Sequence, residues 1–227
     1  MSIDSSQFMV VWRLCSRGSL QSIIAKGTFT FDSFFIVCII RDISEFSFDS
    51  FFIVCIIRDI SEGLLFLHRS FVGAVGTLSS STCLVNDGWQ VKISAYGIPQ
   101  FVDRQAQKTS LWVAPEHLAE SPVGESKPGD IYSFAIICSE VITRKPAWNI
   151  AERAENVDEL IYRIKKGGLE PLRPELALDG VDVSNTLLSL VRDCWNQSPA
   201  NRPDIEFVCT QIREMMKSWN KTNLMDH

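Results

Sequence analysis

The sequence predicts an α+β fold that is mainly α, with a small β-hairpin in its first half and helices through its second. Three observations carry this. Short apolar runs bounded by turn residues are confined to roughly the first hundred positions, as in "FMVVW", "CLV" and "VKIS". From Gly129 onward the apolar residues recur at helical spacing. Early strand and later helix together give an α+β layout dominated by helices.

In chain order, "FMVVW" reads as a strand, Arg17, Gly18 and Ser19 as a turn, and the residues up to 28 as a short helix. Residues 29–62 then hold a 17-residue tandem duplication: "FDSFFIVCIIRDISE" occurs at Phe31–Glu45 and again at Phe48–Glu62. The second copy runs into "GLLFLHRS", so Phe51 to His68 is expected to be one long helix. Seventeen residues advance a helix by roughly 1700°, about 260° beyond four turns, so the two copies cannot share one apolar face. The first copy is therefore expected to be surplus, packed elsewhere as a separate helix near residues 32–44 or looped out. Residues 71–100 carry two short strands around the turn Asn86–Gly88, a hairpin over residues 83–94.

The second half is helical. "DIYSFAIICSEVIT" is apolar nearly all round, as a helix at the centre of a domain would be. "VDELIYRIKKG" is amphipathic and closes at Gly167, with Lys165 and Lys166 at its negative end. "SNTLLSLVRDCW" and "DIEFVCTQIREMMKSW" follow, separated by Pro199 and Pro203, with Asp204 as the N-cap of the last helix.

Composition excludes several function classes. A net charge of −5, with acidic and basic residues interspersed, argues against a nucleic-acid surface. Seven cysteines without a CxxC pair read as reduced thiols packed in a core, and His68, His117 and His227 form no ligand pattern. "FFIVCII" is far shorter than the roughly 20 residues of a membrane helix, and the N-terminus has no signal-peptide pattern, so neither membrane insertion by this chain nor secretion is expected. No metal or resident cofactor is expected.

Three motifs in order lift the reading above a helical domain. Ala114-Pro115-Glu116 is the A-P-E of protein kinases, Asp130 stands where kinases open their central helix, and Arg202 in "CWNQSPANRPDI" stands where they place the partner of that glutamate. The resemblance makes Glu116, Arg202 and Asp130 structural, the first two as a pair and the third as a holder of the catalytic loop. The residues of phosphoryl transfer are missing at the matching positions. Val75-Gly76-Thr77 replace H-R-D, Thr82 replaces the loop asparagine, and Ala95 replaces the metal-binding aspartate of D-F-G. A threonine hydroxyl does not act as a base near neutral pH. No glycine-rich lid or strand lysine precedes them.

"CSRGSLQSII", "EGLLFLHRSFVGAVGTLSSSTCLVNDGWQVKISAYGI" and "LWVAPEHL" resemble the kinase homology domain of receptor-type guanylate cyclases, in which the loop reads H-G-x-L-x-S-x-x-C; Gly76, Leu78, Ser80 and Cys83 match it. The resemblance implies a protein-kinase-like C-lobe over residues 1–215, with the N-lobe essentially missing. Residues 216–227 are similar to the start of the linker towards a cyclase domain. It further implies a catalytically dead pseudokinase that relays receptor occupancy to cGMP synthesis. It would lie on the cytoplasmic side of the plasma membrane as part of a homodimeric receptor, while the fragment alone would be cytosolic. Its partners would be the parent's linker and cyclase domain. Several members of that family sense ATP; here Arg13 and Cys15 are the hinge candidates, and Trp12 is expected at the back of that pocket, as a packing residue or as bulk that narrows it, so ATP binding is doubtful. Two other readings stay open, an active protein kinase of the tyrosine-kinase-like type and a non-functional gene fragment.

Overall fold

The computed structural model describes residues 14–27, 48–94, 96, 111–119, 124–176 and 183–225. Trp12, Arg13, Ala95, the strand expected at "FMVVW" and the first copy of the duplicated segment lie outside the described residues. The fold is mainly helical with a small antiparallel sheet, as the sequence predicts.

Among the described residues the sheet has three strands, one more than the expected hairpin. β2 (Cys83–Val85) and β3 (Val91–Ile93) form the hairpin, with Cys83 opposite Ile93 and Val85 opposite Val91. β1 (Gly18–Ser19) adds to the other edge of β2, pairing Gly18 with Val85 and Ser19 with Leu84. Of the three residues read as a turn, Arg17 is in one, while Gly18 and Ser19 form the strand. Gly18 reaches its place at φ +81°, a left-handed value that favours glycine. In the hairpin turn the left-handed residue is Trp89, at φ +59°, and not Gly88. Trp89 is held there by its surroundings: the Phe52 ring meets it edge-on at 5.2 Å and the Arg17 guanidinium lies 4.3 Å from its ring centre.

Ser19 also caps α1 (Leu20–Lys26), accepting from the Ser22 N–H, and Gly27 ends that helix at φ +62°. α2 (Phe48–Arg69) is the long helix expected from the second copy, one turn longer at its start. Its apolar residues Phe52, Ile53, Ile56, Ile57, Ile60 and Leu64 are buried. They recur at three- and four-residue spacing and so form one stripe, and the helix lies against β3 and against two later helices, Lys127–Thr143 and Ile205–Met225.

α3 (Lys127–Thr143) is buried along almost its whole length, from Gly129 to Ile142. Ser126 starts it by accepting from the Gly129 N–H, and Pro128 sits in its first turn where no N–H partner is needed. α4 (Val157–Lys166) buries only Leu160 and Ile164 and ends at Gly167, whose N–H donates to the Arg163 carbonyl. α5 (Asn185–Cys194) packs on α3. α6 (Ile205–Met225) opens at Asp204, whose carboxylate accepts from the Phe207 N–H at 2.8 Å, the cap read from sequence.

Cys83, Cys138, Cys194 and Cys209 are buried free thiols, and burial raises the pKa of each. Among the described residues no helix is long and apolar enough to cross a membrane.

Candidate functional site

Three sequence-predicted residues come together around the N-terminal end of α3. After α2 the chain turns through Gly73 into the loop that carries Val75, Thr77 and Thr82. Asp130 lies 1% exposed in the first turn of α3, where the helix dipole favours a carboxylate. Its Oδ2 accepts from the Val75 N–H at 2.7 Å and its Oδ1 from the Gly76 N–H at 2.8 Å. His68, from the end of α2, places Nε2 at 2.9 Å from the same Oδ2. One carboxylate thus ties a helix end and a loop to the helix that carries it. Gly76 is demanded twice: its φ is +67°, and a Cβ there would come within 2.7 Å of Glu125 Cβ.

Thr77 and Thr82 turn inward on their own loop. Thr82 Oγ1 accepts from the Ser79 N–H at 3.0 Å and lies within reach of the Ser79 and Thr77 carbonyls at 3.0 and 3.3 Å. Thr77 Oγ1 donates weakly to the Val75 carbonyl at 3.5 Å. Ser79 and Ser80 are fully buried, with Ser79 Oγ at 2.7 Å from Ser81 Oγ. The loop is therefore held by hydroxyls bonded to its own backbone, and residues 74–82 contain no ionisable side chain.

Glu116 and Arg202 meet across 86 residues of chain as a two-pronged pair, Nη1 to Oε1 at 2.7 Å and Nη2 to Oε2 at 2.8 Å. The guanidinium is fully covered and also donates to the carbonyls of Asn196 and Pro128. Burial alone would raise the Glu116 pKa, but the hydrogen bonds and charge of Arg202 outweigh it and hold the carboxyl below its ordinary value. Tyr132, on α3, lies beneath this pair. The guanidinium carbons of Arg202 and Arg173 sit 5.2 and 5.1 Å from its ring centre. Burial pushes the phenol up to about 12, and its hydroxyl meets no hydrogen-bond partner among the described residues.

A second carboxylate serves the same segment. Glu140 is 2% exposed on α3, and its Oε2 accepts from Trp112 Nε1 at 3.0 Å. Its Oε1 accepts from the Ala147 N–H at a long 3.4 Å. The Ser80 hydroxyl is near enough to favour the carboxylate, yet falls short of hydrogen-bond geometry. Burial dominates these neutral donors and raises the Glu140 pKa to about 7.

Sequence reasoning missed His68, Arg173 and Glu140. His68 and Asp130 are 62 positions apart, and no periodicity links them. Glu140 did leave a signal, as the lone acid in the apolar run Ile131–Thr143. Of the hinge candidates, Cys15 lines a cleft of about 610 Å³ beside Leu14, Leu84, Ile93 and Tyr96, and Arg13 lies outside the described residues.

The profile of a family described as protein tyrosine and serine/threonine kinase matches residues 1–212. The chain is also similar over its whole length to part of several receptor-type guanylate cyclases. It is 48% identical to gcy-1 and 47% to gcy-5 of Caenorhabditis elegans, covering 19% of each. It is 43% identical to gcy-19 of Caenorhabditis briggsae, covering 18%. The chain spans about a fifth of the length of these relatives.

Proposed function

Because the chain belongs to the protein tyrosine and serine/threonine kinase family, we propose that it is a kinase-like domain that transfers no phosphate and acts by relay. It passes receptor occupancy to the guanylate cyclase domain of a parent receptor, on the cytoplasmic side of the plasma membrane and within a homodimer. Its partners are that cyclase domain and the linker leading to it. Residues 1–215 are the kinase-like part and residues 216–227 the start of the linker.

The observation that carries this reading is the contrast within the loop. Thr77 and Thr82 occupy the positions of the kinase base and loop asparagine, and their hydroxyls are turned to the loop's own backbone. Phosphoryl transfer needs a carboxylate at the first point to accept a proton and an amide oxygen at the second to hold magnesium. Ala95 removes a further carboxylate from the sequence at the D-F-G position. Meanwhile Asp130 and the Glu116–Arg202 pair keep the geometry that supports such a loop. A domain that retains its supports without its charges fits a part that transmits a conformation.

The test is a chimaera in which this chain replaces the matching segment of the gcy-1 receptor. Stimulated cGMP synthesis by the chimaera, with no transfer of labelled γ-phosphate by the purified chain, is the expected result. A correctly expressed chimaera that makes cGMP only at the unstimulated rate would sink the relay, and phosphate transfer above background would sink the claim of inactivity.

A further inference from the structure

A cleft of about 430 Å³ opens between α1, the segment Leu111–Trp112 and the chain that follows α3. Its walls are largely apolar: Ile24, Leu111, Trp112, Trp148 and Ile150 line it. Among these lies one acid, Glu140. All of this carboxylate's partners among the described residues are neutral, namely Trp112 Nε1, the Ala147 N–H and the nearby Ser80 hydroxyl. α1 turns only uncharged residues to the cleft, and Pro146–Ile150 adds none with charge. The titratable group that faces Glu140 from the sheet is Cys83, a buried thiol whose pKa burial raises, so it stays neutral. Buried carboxylates are ordinarily matched by a cation. The neighbouring Glu116 has Arg202; Glu140 has only donors without charge.

We propose that this cleft is a binding site for a small amphipathic ammonium, a protonated primary or secondary amine on an apolar body, with Glu140 as its counter-ion. The apolar walls would take the hydrocarbon and the carboxylate would take the ammonium, the usual division of labour in a small-molecule pocket. The charge selects the occupant: a neutral or anionic ligand of the same shape would leave the acid unmatched or oppose it. With the acid's pKa near 7, occupancy by a cation draws it towards the ionised form. Binding near neutral pH therefore releases protons and strengthens as pH rises through about 7. The cleft's lining residues lie outside the loop 74–82, although Ser80 of that loop approaches Glu140, and the inference stands whether or not the relay holds.

The experiment is calorimetric titration of the full chain with n-hexylammonium chloride and, as the uncharged control, 1-hexanol. At about pH 8 the ammonium is expected to bind about tenfold more tightly than hexanol, and the gap should close at about pH 5.5. Glu140→Gln should abolish the preference while hexanol binding persists. Ala25→Trp, on the exposed lip of the cleft, should block both ligands without touching the acid. It also keeps the test decisive if the Gln variant does not fold. Equal binding of ammonium and hexanol, a preference that survives Glu140→Gln, binding unaffected by Ala25→Trp, or no binding of either ligand would each overturn the proposal.

Discussion

Two carboxylates serve the short segment 111–119 and meet opposite fates. Glu116 belongs to the segment, is partly exposed, and is clamped by a covered guanidinium, so it stays ionised. Glu140 reaches it from α3, is more deeply buried, and meets only neutral donors, so its pKa climbs to about 7. Both accept hydrogen bonds. What separates them is a formal positive charge within reach, which offsets desolvation where N–H dipoles alone do not. The difference marks Glu116 as part of a closed structural pair and Glu140 as an acid still able to respond to pH or to a cation.

The sharpest way to break the comparison is to remove the clamp. Arg202→Ala leaves Glu116 without its cation and takes donors from the carbonyls of Asn196 and Pro128. It is expected to cost roughly 3–5 kcal/mol in urea unfolding, the range for breaking a buried pair. Arg202→Lys should recover less than half, because one ammonium cannot span both oxygens and two carbonyls. A loss under about 1 kcal/mol for the alanine variant would show that the pair is an ordinary surface contact.

Next in size is the pH dependence, in which the two acids pull in opposite directions. Glu140 has a folded pKa near 7, raised from 4.5, so the folded state holds a proton that the unfolded state has released. Its contribution is therefore full below about pH 4.5 and is lost as pH rises towards 7, on the order of 3 kcal/mol in all. Glu116, held below its ordinary value, contributes above 4.5 and loses that contribution as pH falls through its lower folded pKa. Glu140→Gln should flatten the first slope and leave the acid-side loss in place, as read by thermal unfolding across the range. An unchanged slope between pH 4.5 and 7 would mean that Glu140 is ionised throughout.

How much of this the sequence disclosed follows the same division. The helices were legible because burial leaves a periodicity: α2 and α3 came within about a turn of their observed ends, and Asp204 and Gly167 announced their caps. β1 was not, because two residues cannot show an alternation and Gly18–Ser19 has turn composition. In the site, Glu116, Arg202 and Asp130 were found through motifs in fixed order. The Trp112–Glu140 and Arg173–Tyr132 contacts join residues with no shared pattern, so only the folded chain brings them together. That β2 and β3 close on a left-handed tryptophan was equally invisible, since Gly88 beside it is the residue composition favours.

Asp130 gives a smaller and more local effect. Asp130→Asn keeps one acceptor but turns an amide towards either the Val75 or the Gly76 N–H, and removes the charge facing His68. A loss of roughly 1–3 kcal/mol is expected, the cost of leaving one buried donor unmatched. Amide exchange should speed up at Val75 and Gly76 more than in α5, which does not touch this carboxylate. Uniform acceleration throughout the chain would assign Asp130 to global stability and deny it a specific hold on the loop.

The least effect is expected where hydroxyls stand at the positions of the kinase loop aspartate and asparagine. Thr82→Val preserves shape and removes the group that accepts from the Ser79 N–H and can donate to the Ser79 or Thr77 carbonyl. The cost should be about 1 kcal/mol, since the half-buried loop admits water to part of what is lost. The converse change sharpens the contrast with Asp130. Thr82→Asn combined with Thr77→Asp restores the kinase side chains at these two positions, yet the introduced carboxylate would enter a loop whose anchor is already an anion, Asp130. That double variant should be less stable than the wild type and should show no phosphate transfer, because Ala95 still withholds a metal-binding carboxylate. Transfer by the double variant would mean that only these two side chains stood between this loop and kinase chemistry.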